Sequence, residues 1–162
     1  MNAIVVVDKN WAIGREGGLL FSLPTDMKRF RSLTLDGTVI LGRKTLDSFP
    51  GGRPLPRRRN IVITRNVDFD REGSEIVASP QAAVELAAGT EDDKLWVIGG
   101  GSVYREMLPY CDRAYVTRVH ATPESDTFFP NLDRDSQWYL AETLQSGIEN
   151  GISYEMLLYK RK

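Results

Sequence analysis

Cysteine and histidine are nearly absent from this sequence of 162 residues, which has one of each, Cys111 and His120. A lone cysteine excludes an internal disulfide and suits a reducing cytosol. No metal centre is expected. No apolar run approaches the roughly 18 residues that span a bilayer. The opening "MNAIVVVDKN" lacks a basic segment ahead of its apolar run, so it reads as a buried strand and not a signal peptide. Excess charge is missing too: the net charge is −1 and the isoelectric point about 5.9. No global field draws the chain to nucleic acid or to a membrane surface. No repeat, low-complexity tract or linker interrupts it. What is present, 41% hydrophobic and 27% charged residues, suits one globular domain over 1–162 with a real core, placed in the cytoplasm.

Short β-branched runs alternate with helical patterns. "AIVVV" (3–7), "TVILG" (38–42), "NIVIT" (60–64), "EIVA" (75–78) and "KLWVIG" (94–99) read as strands buried on both faces, as in a parallel sheet. Helices are expected over about 25–33, 43–48, 80–88 and 102–108, with Thr25 and Ser79-Pro80 as starts. Beyond residue 112 the pattern changes. "RAYVTRVHA" alternates, and "QWYLAETLQ" and "ISYEMLLYK" flank Asn150-Gly151, a type I′ hairpin signal. The fold class is α/β, with a largely parallel sheet and an antiparallel hairpin at its C-terminal edge.

Two strand ends are glycine-rich. "VIGGGSVY" (97–104) leads from strand to helix, where free N–H groups favour an anion. It is not G-x-G-x-x-G, since Tyr104 stands at the third glycine, and a tight strand–helix turn explains it as well as a phosphate site does. "VILGRKT" (39–45) has the same layout and fails the P-loop spacing. Arg43, Lys44 and Thr45 after Gly42 place two cations beside a hydroxyl, an arrangement that repels unless an anion lies near. Thr64 and Arg65 end a third strand. Ligands of open parallel sheets lie at these carboxyl ends, so the set suits one extended phosphorylated ligand. The basic run "GGRPLPRRRN" (51–60) lacks the aromatics and basic balance of a nucleic-acid surface. Its arginines read as solvated, or as one arginine aimed at a carboxylate.

Four stretches in order, "AIGREGGLLFSLPTDMKRF", "VILGRKTLDSFPGGRPLPRRRN", "WVIGGGSVY" and "SDTFFP", make the chain resemble dihydrofolate reductase of the bacterial, single-domain type. The resemblance covers residues 3–130, and the C-terminal hairpin fits it. It implies an eight-stranded, mostly parallel twisted sheet flanked by helices, NADPH as cofactor, and dihydrofolate and antifolate-like small molecules as ligands of a monomer. Asp26 would bind the pterin ring through paired, charge-assisted hydrogen bonds, with Thr117 orienting it. Without the resemblance, Asp26 is an ordinary helix-start acid and Thr117 an ordinary strand threonine. Ile4, Val5, Leu19, Phe21, Met27, Phe30, Phe49, Leu55 and Ile98 would line the substrate pocket beside Tyr104; each is otherwise core. Arg58 would meet the glutamate α-carboxylate of the substrate, leaving Arg57 and Arg59 solvated. On the cofactor side would stand Val6, Ile13, Gly14, Gly42, Arg43, Lys44, Thr45, Thr64 and Arg65. Gly99, Gly100, Gly101, Ser102, Val103 and Tyr104 would join them, with Gly99-Gly100 as the family's cis peptide.

The reaction implied is hydride transfer from NADPH to C6 of dihydrofolate with protonation at N5. Asp26 grips the far side of the ring, and His120 reads as a surface residue on an edge-type strand. A water admitted past the 14–21 loop is therefore the expected proton donor. Two departures stand out. Leu20-Phe21 replaces the usual Pro-Trp, dropping an indole N–H, and Lys44 stands where histidine is common. The loop's Gly14, Gly17 and Gly18 suggest a mobile lid that brings Leu19 to Phe21 over the site. The rivals are a related riboflavin-pathway reductase and a non-catalytic nucleotide-binding module. The "LPTD" acid and "GRPLP" loop speak against the first, and Asp26 with Thr117 against the second.

Overall fold

The computed structural model describes residues 1–162. Strand β1 (Asn2–Val7) is followed by a short hairpin, β2 (Ala12–Arg15) and β3 (Gly18–Leu19), and by helix α1 (Pro24–Thr34). Then come β4 (Thr38–Gly42), α2 (Arg43–Ser48), β5 (Arg59–Ile63), β6 (Ser74–Val77) and α3 (Pro80–Leu86). The chain continues through β7 (Leu95–Gly99), α4 (Gly101–Met107), β8 (Arg113–Val119) and β9 (Thr127–Phe128). It ends in the long strands β10 (Trp138–Glu149) and β11 (Ile152–Arg161). The strand and helix ranges read from the sequence are present within two residues of their expected bounds, except that β10 runs four residues past the end of "QWYLAETLQ" to Glu149.

Eight strands form one sheet in the order β10-β11-β8-β1-β7-β4-β5-β6. All neighbours run parallel except β11, which is antiparallel to both β8 and β10. The hairpin turn follows its sequence signal: Asn150 and Gly151 take φ of 53° and 76°, the left-handed pair that a type I′ turn needs. No helix is long and apolar enough to cross a membrane.

Strand alternation divides the sheet into two faces. Ala3, Val5 and Val7 of β1, Ile40 of β4, Ile61 of β5 and Val97 of β7 pack into the larger core beneath α3 and α4. Ile4, Val39, Leu41, Val62, Trp96 and Ile98 face the other way. Val6 shares that second face, joining Leu23, Val119 and Phe21. The second face, covered by α1, has partly exposed side chains at its margin, and the site lies there.

Three expectations need correction. Thr25 does not cap α1: the N-cap position is Leu23, which has no capping side chain, whereas Ser79 caps α3 as read, accepting from Ala82 N at 3.1 Å. The segment read as a glycine-rich loop is a hairpin in a second sheet, β3-β2-β9. Glu16 and Gly17, both at positive φ, form its turn. A Cβ on Gly14 would lie 2.8 Å from the carbonyl oxygen of Gly18, so this glycine permits the pairing. The third correction is β8, an interior strand between β11 and β1. His120 lies just past its end, with Nε2 3.9 Å from Glu155.

Asn60 shows how buried polarity sets a loop. It is 1% exposed; its Oδ1 accepts from Leu55 N at 3.0 Å, and its Nδ2 donates to the carbonyls of Leu55 (3.0 Å) and Arg58 (2.9 Å). Those bonds present Leu55 and Arg58 from one short loop. Truncation strands buried groups, each costing about 1–3 kcal/mol. Asn60→Ala should therefore lose at least that range in denaturant-unfolding free energy. An unchanged unfolding midpoint contradicts this account of the loop.

Candidate active site

Asp26 lies in the first turn of α1, half-buried over the sheet. Its Oδ1 accepts a hydrogen bond of 2.5 Å from the hydroxyl of Thr117, itself buried on β8. No other side chain donates to the carboxylate. Thr117 faces Val6 on one side and Met156 on the other in strand register. Burial pushes the Asp26 carboxyl above the ordinary range, against the opposing pull of the Thr117 bond and Arg29; Glu149 adds to the rise. A half-buried carboxylate with one oxygen committed and the other uncommitted is a receptor for a cationic or paired donor.

The apolar surroundings sort by strand face. Ile4, Phe49, Leu55 and Ile98 pack in one cluster with Leu33 and Tyr115. Phe21 and Val6 sit in the adjoining cluster, and Phe30 is partly buried on α1. Tyr104 is buried, donating from its hydroxyl to the carbonyl of Ile4 at 2.6 Å, and burial drives its phenol strongly upward. Other expected lining residues stand elsewhere. The side chain of Val5 points into the core of the opposite face, as alternation along β1 demands. Met27 is 57% exposed and Leu19 82% exposed on the β2–β3 hairpin, so neither walls the pocket in this conformation. Ile13 and Val103 are buried in the larger core.

The triple arginine resolves by partner. Arg57 pairs with Asp36 at 3.3 Å and Arg59 with Glu75 at 2.5 Å. Arg58 meets no carboxylate. It donates to the Pro56 carbonyl at 3.0 Å and to the Thr34 hydroxyl at 3.2 Å. Partial burial and nearby Arg31 make its charge less favourable, which holds its guanidinium below the ordinary range. Of the three, only Arg58 is left seeking an anion.

The two glycine-rich strand ends converge. A Cβ on Gly100 would lie 3.2 Å from the Thr45 hydroxyl, and one on Gly42 would lie 3.0 Å from Val103. The Gly99-Gly100 bond is cis. Gly42 and Gly99 end the adjacent strands β4 and β7, and Thr64 and Arg65 follow β5 alongside. Gly101 opens α4, with Ser102 exposed at its start. Arg43 departs from the two-cation expectation. It is 3.5 Å from Asp47 and lies over the Phe69 ring at 5.2 Å, so local partners already offset its charge. Lys44 and Arg65 have no ion pair and remain the unneutralised cations. The Thr64 hydroxyl accepts from Asn66 N at 3.1 Å.

Two residues beside Asp26 escaped the sequence reading. Arg29 lies one helical turn on, its guanidinium 5.7 Å from the centre of the Tyr115 ring; the i, i+3 spacing from Asp26 could have revealed it. Glu149 bonds Thr25 from 124 residues away in the chain, a contact no local signal carries. The hairpin β2–β3 is pinned in turn by Asp126, whose carboxylate accepts from Glu16 N at 2.8 Å.

The family model described as Dihydrofolate reductase matches residues 1–161. Dihydrofolate reductase of Bacillus subtilis is 37% identical over 161 residues, covering 98% of this chain and 93% of its own. That of Mycobacterium leprae is 38% identical over 168 residues, covering 98% and 99%. Among solved structures, dihydrofolate reductase from Enterococcus faecalis complexed with NADP(H) and RAB-propyl superposes with a TM-score of 0.88 at 37% identity, covering 99% and 95%. With a family model matching residues 1–161 and relatives covered nearly from end to end, the chain belongs to the dihydrofolate reductase family.

Proposed function

We propose that this chain catalyses the NADPH-dependent reduction of 7,8-dihydrofolate to 5,6,7,8-tetrahydrofolate. The observation that carries the reading is the half-buried Asp26 carboxylate, held on one oxygen by Thr117 and uncommitted on the other. A pterin ring offers a ring N–H beside its 2-amino group, and a carboxylate answers with two acceptors at matching separation. Apolar walls from Ile4, Phe30, Phe49, Leu55 and Ile98 strengthen that contact by lowering the local dielectric. Arg58, at the mouth, takes the glutamate α-carboxylate of the substrate. A 2,4-diamino heterocycle, the chemistry of an antifolate, would meet Asp26 in the same way.

The cofactor fits the glycine-lined ends of β4 and β7, where the missing side chains at Gly42 and Gly100 leave room against Val103 and Thr45. Gly42, Thr45, Thr64, Lys44 and Arg65 would hold its phosphates, with Arg43 contributing despite its tie to Asp47. When bound, the reduced nicotinamide supplies hydride to C6 of the substrate. Asp26 holds the ring and raises its basicity through charge, so that N5 takes a proton from water admitted past the β2–β3 hairpin. That hairpin acts as the lid, with Leu19 and Phe21 at its closing edge. Positioning and preorganised charge, not a proton-donating side chain at N5, supply most of the acceleration. The enzyme is read as a monomer, as the family resemblance implies, and the single buried cysteine suits the cytosol.

Two mutations test the roles. Neutralising one member of a buried charge pair costs about 2–5 kcal/mol, so Asp26→Asn should lower kcat/KM for dihydrofolate at least tenfold at neutral pH. The same change should stabilise the fold. A carboxyl whose folded pKa is raised binds more protons folded than unfolded, so wild-type stability falls as pH rises through that window. The thermal midpoint of Asp26→Asn should thus exceed wild type at neutral pH, the gap closing in acid. Turnover within twofold of wild type sinks the assignment.

Arg58→Ala removes the one arginine of the triple without a carboxylate. A charge-assisted hydrogen bond is worth about 1.5–3 kcal/mol, so KM for dihydrofolate should rise about tenfold or more with kcat little changed. A pterin substrate lacking the glutamate tail should show no such change. Equal effects on both substrates would assign Arg58 a purely structural place.

A further inference from the structure

Helix α1, which carries Asp26, begins without a cap of its own. Leu23 occupies the N-cap and brings no side-chain acceptor, and Pro24 at the first helical position has no N–H. The first free donor is the N–H of Thr25. It is met from the far end of the chain: Glu149 Oε1 accepts it at 3.0 Å, and Glu149 Oε2 accepts the Thr25 hydroxyl. Glu149 is the last residue of β10, next to the Asn150-Gly151 turn whose two positive φ values fix the hairpin tip.

We propose that Glu149 is a positioning residue for Asp26: its carboxylate clamps Thr25, and with it the first turn of α1, so that Asp26 stays seated on Thr117. The proposal rests on the reading of Asp26 as the group that holds the pterin ring. Asp26 is then gripped twice through its surroundings. Thr117 on β8 holds its carboxylate, and Glu149, on the hairpin that includes β8's neighbour β11, holds the adjacent residue. Both holds belong to one sheet, so displacement of the hairpin tip moves α1 relative to Thr117. A carboxylate at a helix N-terminus also meets the positive end of the helix dipole.

The charge has a second consequence. The groups facing Asp26 are Arg29 on its own helix, Thr117 on β8 and Glu149 on the hairpin, and the phenol of Tyr104 on α4 senses its charge. Arg29 favours the ionised Asp26, and Glu149 disfavours it. The Thr25 bonds keep Glu149 below the ordinary carboxylate range, so at neutral pH it is anionic and its repulsion is in force. Glu149 therefore acts on Asp26 in two separable ways, by placing it and by biasing its proton.

Steady-state turnover of NADPH with dihydrofolate, followed against pH, separates them. Glu149→Ala and Thr25→Val should each lower kcat/KM for dihydrofolate about three- to tenfold while KM for NADPH stays put. The double mutant should be no worse than the poorer single, because both break one clamp. Thr25→Ser, which keeps both donors, should restore near wild-type turnover. Glu149→Gln should move the acid limb of kcat/KM to lower pH, since the like charge is gone. Additive losses in the double mutant, or variants that merely melt earlier with kcat/KM and the acid limb unmoved, overturn the proposal. The function itself is read separately: if wild type shows no dihydrofolate-dependent NADPH oxidation that Asp26→Asn lowers, the assignment of Asp26 fails, whatever Glu149 does.

Discussion

The hydrogen bond from Thr117 to Asp26 is the constraint around which the rest of the site is arranged. A carboxylate half-withdrawn from water is costly unless its acceptors are met. One neutral donor meets one oxygen and leaves the other for a ligand. Meeting both oxygens inside the protein would make the acid structural; meeting neither would favour its protonated form. The two residues are 91 positions apart, one on α1 and one on β8, so tertiary structure and not local sequence makes the pair. Stability and function are therefore in tension at this carboxyl, which folding pushes toward protonation and ligand binding needs ionised.

The sheet supplies the geometry by simple alternation. Odd positions of β1 feed the larger core and even positions the site, so Ile4 and Val6 face Asp26 while Val5 does not. The parallel strands end together, which gathers Gly42, Gly99 and the segment after β5 at one edge. The face under α1 and the glycine-lined edge thus lie on the same sheet. The antiparallel hairpin β10–β11 does more than close the sheet: through Glu149 it reaches back to the helix that carries the acid.

Much of this was legible in the sequence, for definable reasons. Short β-branched runs of about five residues favour a buried strand over a buried helix segment, and Asn150-Gly151 leaves a turn little choice. Ser79 announced its helix because Pro80 follows it. Thr25 misled because a hydroxyl at a helix start looks like a cap, while the actual start lies two residues earlier, at Leu23, and the acceptor comes from Glu149. In the 14–21 segment the glycines suggested freedom alone, and the fold gives two of them a further use: Gly14 for close strand approach and Gly17 for a turn. Among Arg57, Arg58 and Arg59 the pattern could name candidates but not partners. Only the fold shows Asp36 and Glu75 claiming the outer two. The family resemblance, by contrast, pointed to Asp26 and Arg58 through its motifs and to Thr117 by its position on the strand "RAYVTRV".

The central claim is that Asp26 is a carboxylate raised by burial and held ready for a paired donor. Nuclear magnetic resonance of the protein with carboxyl-labelled aspartate, assigned through Asp26→Asn, reads that group directly as pH is varied. Without ligand, the Asp26 signal should titrate above the ordinary aspartate value of about 3.9. With a saturating 2,4-diaminopyrimidine, it should remain ionised through that same range, because the bound donors favour the charged form. An Asp26 signal that titrates at or below the ordinary value in the free protein, or that ignores the ligand, contradicts the account.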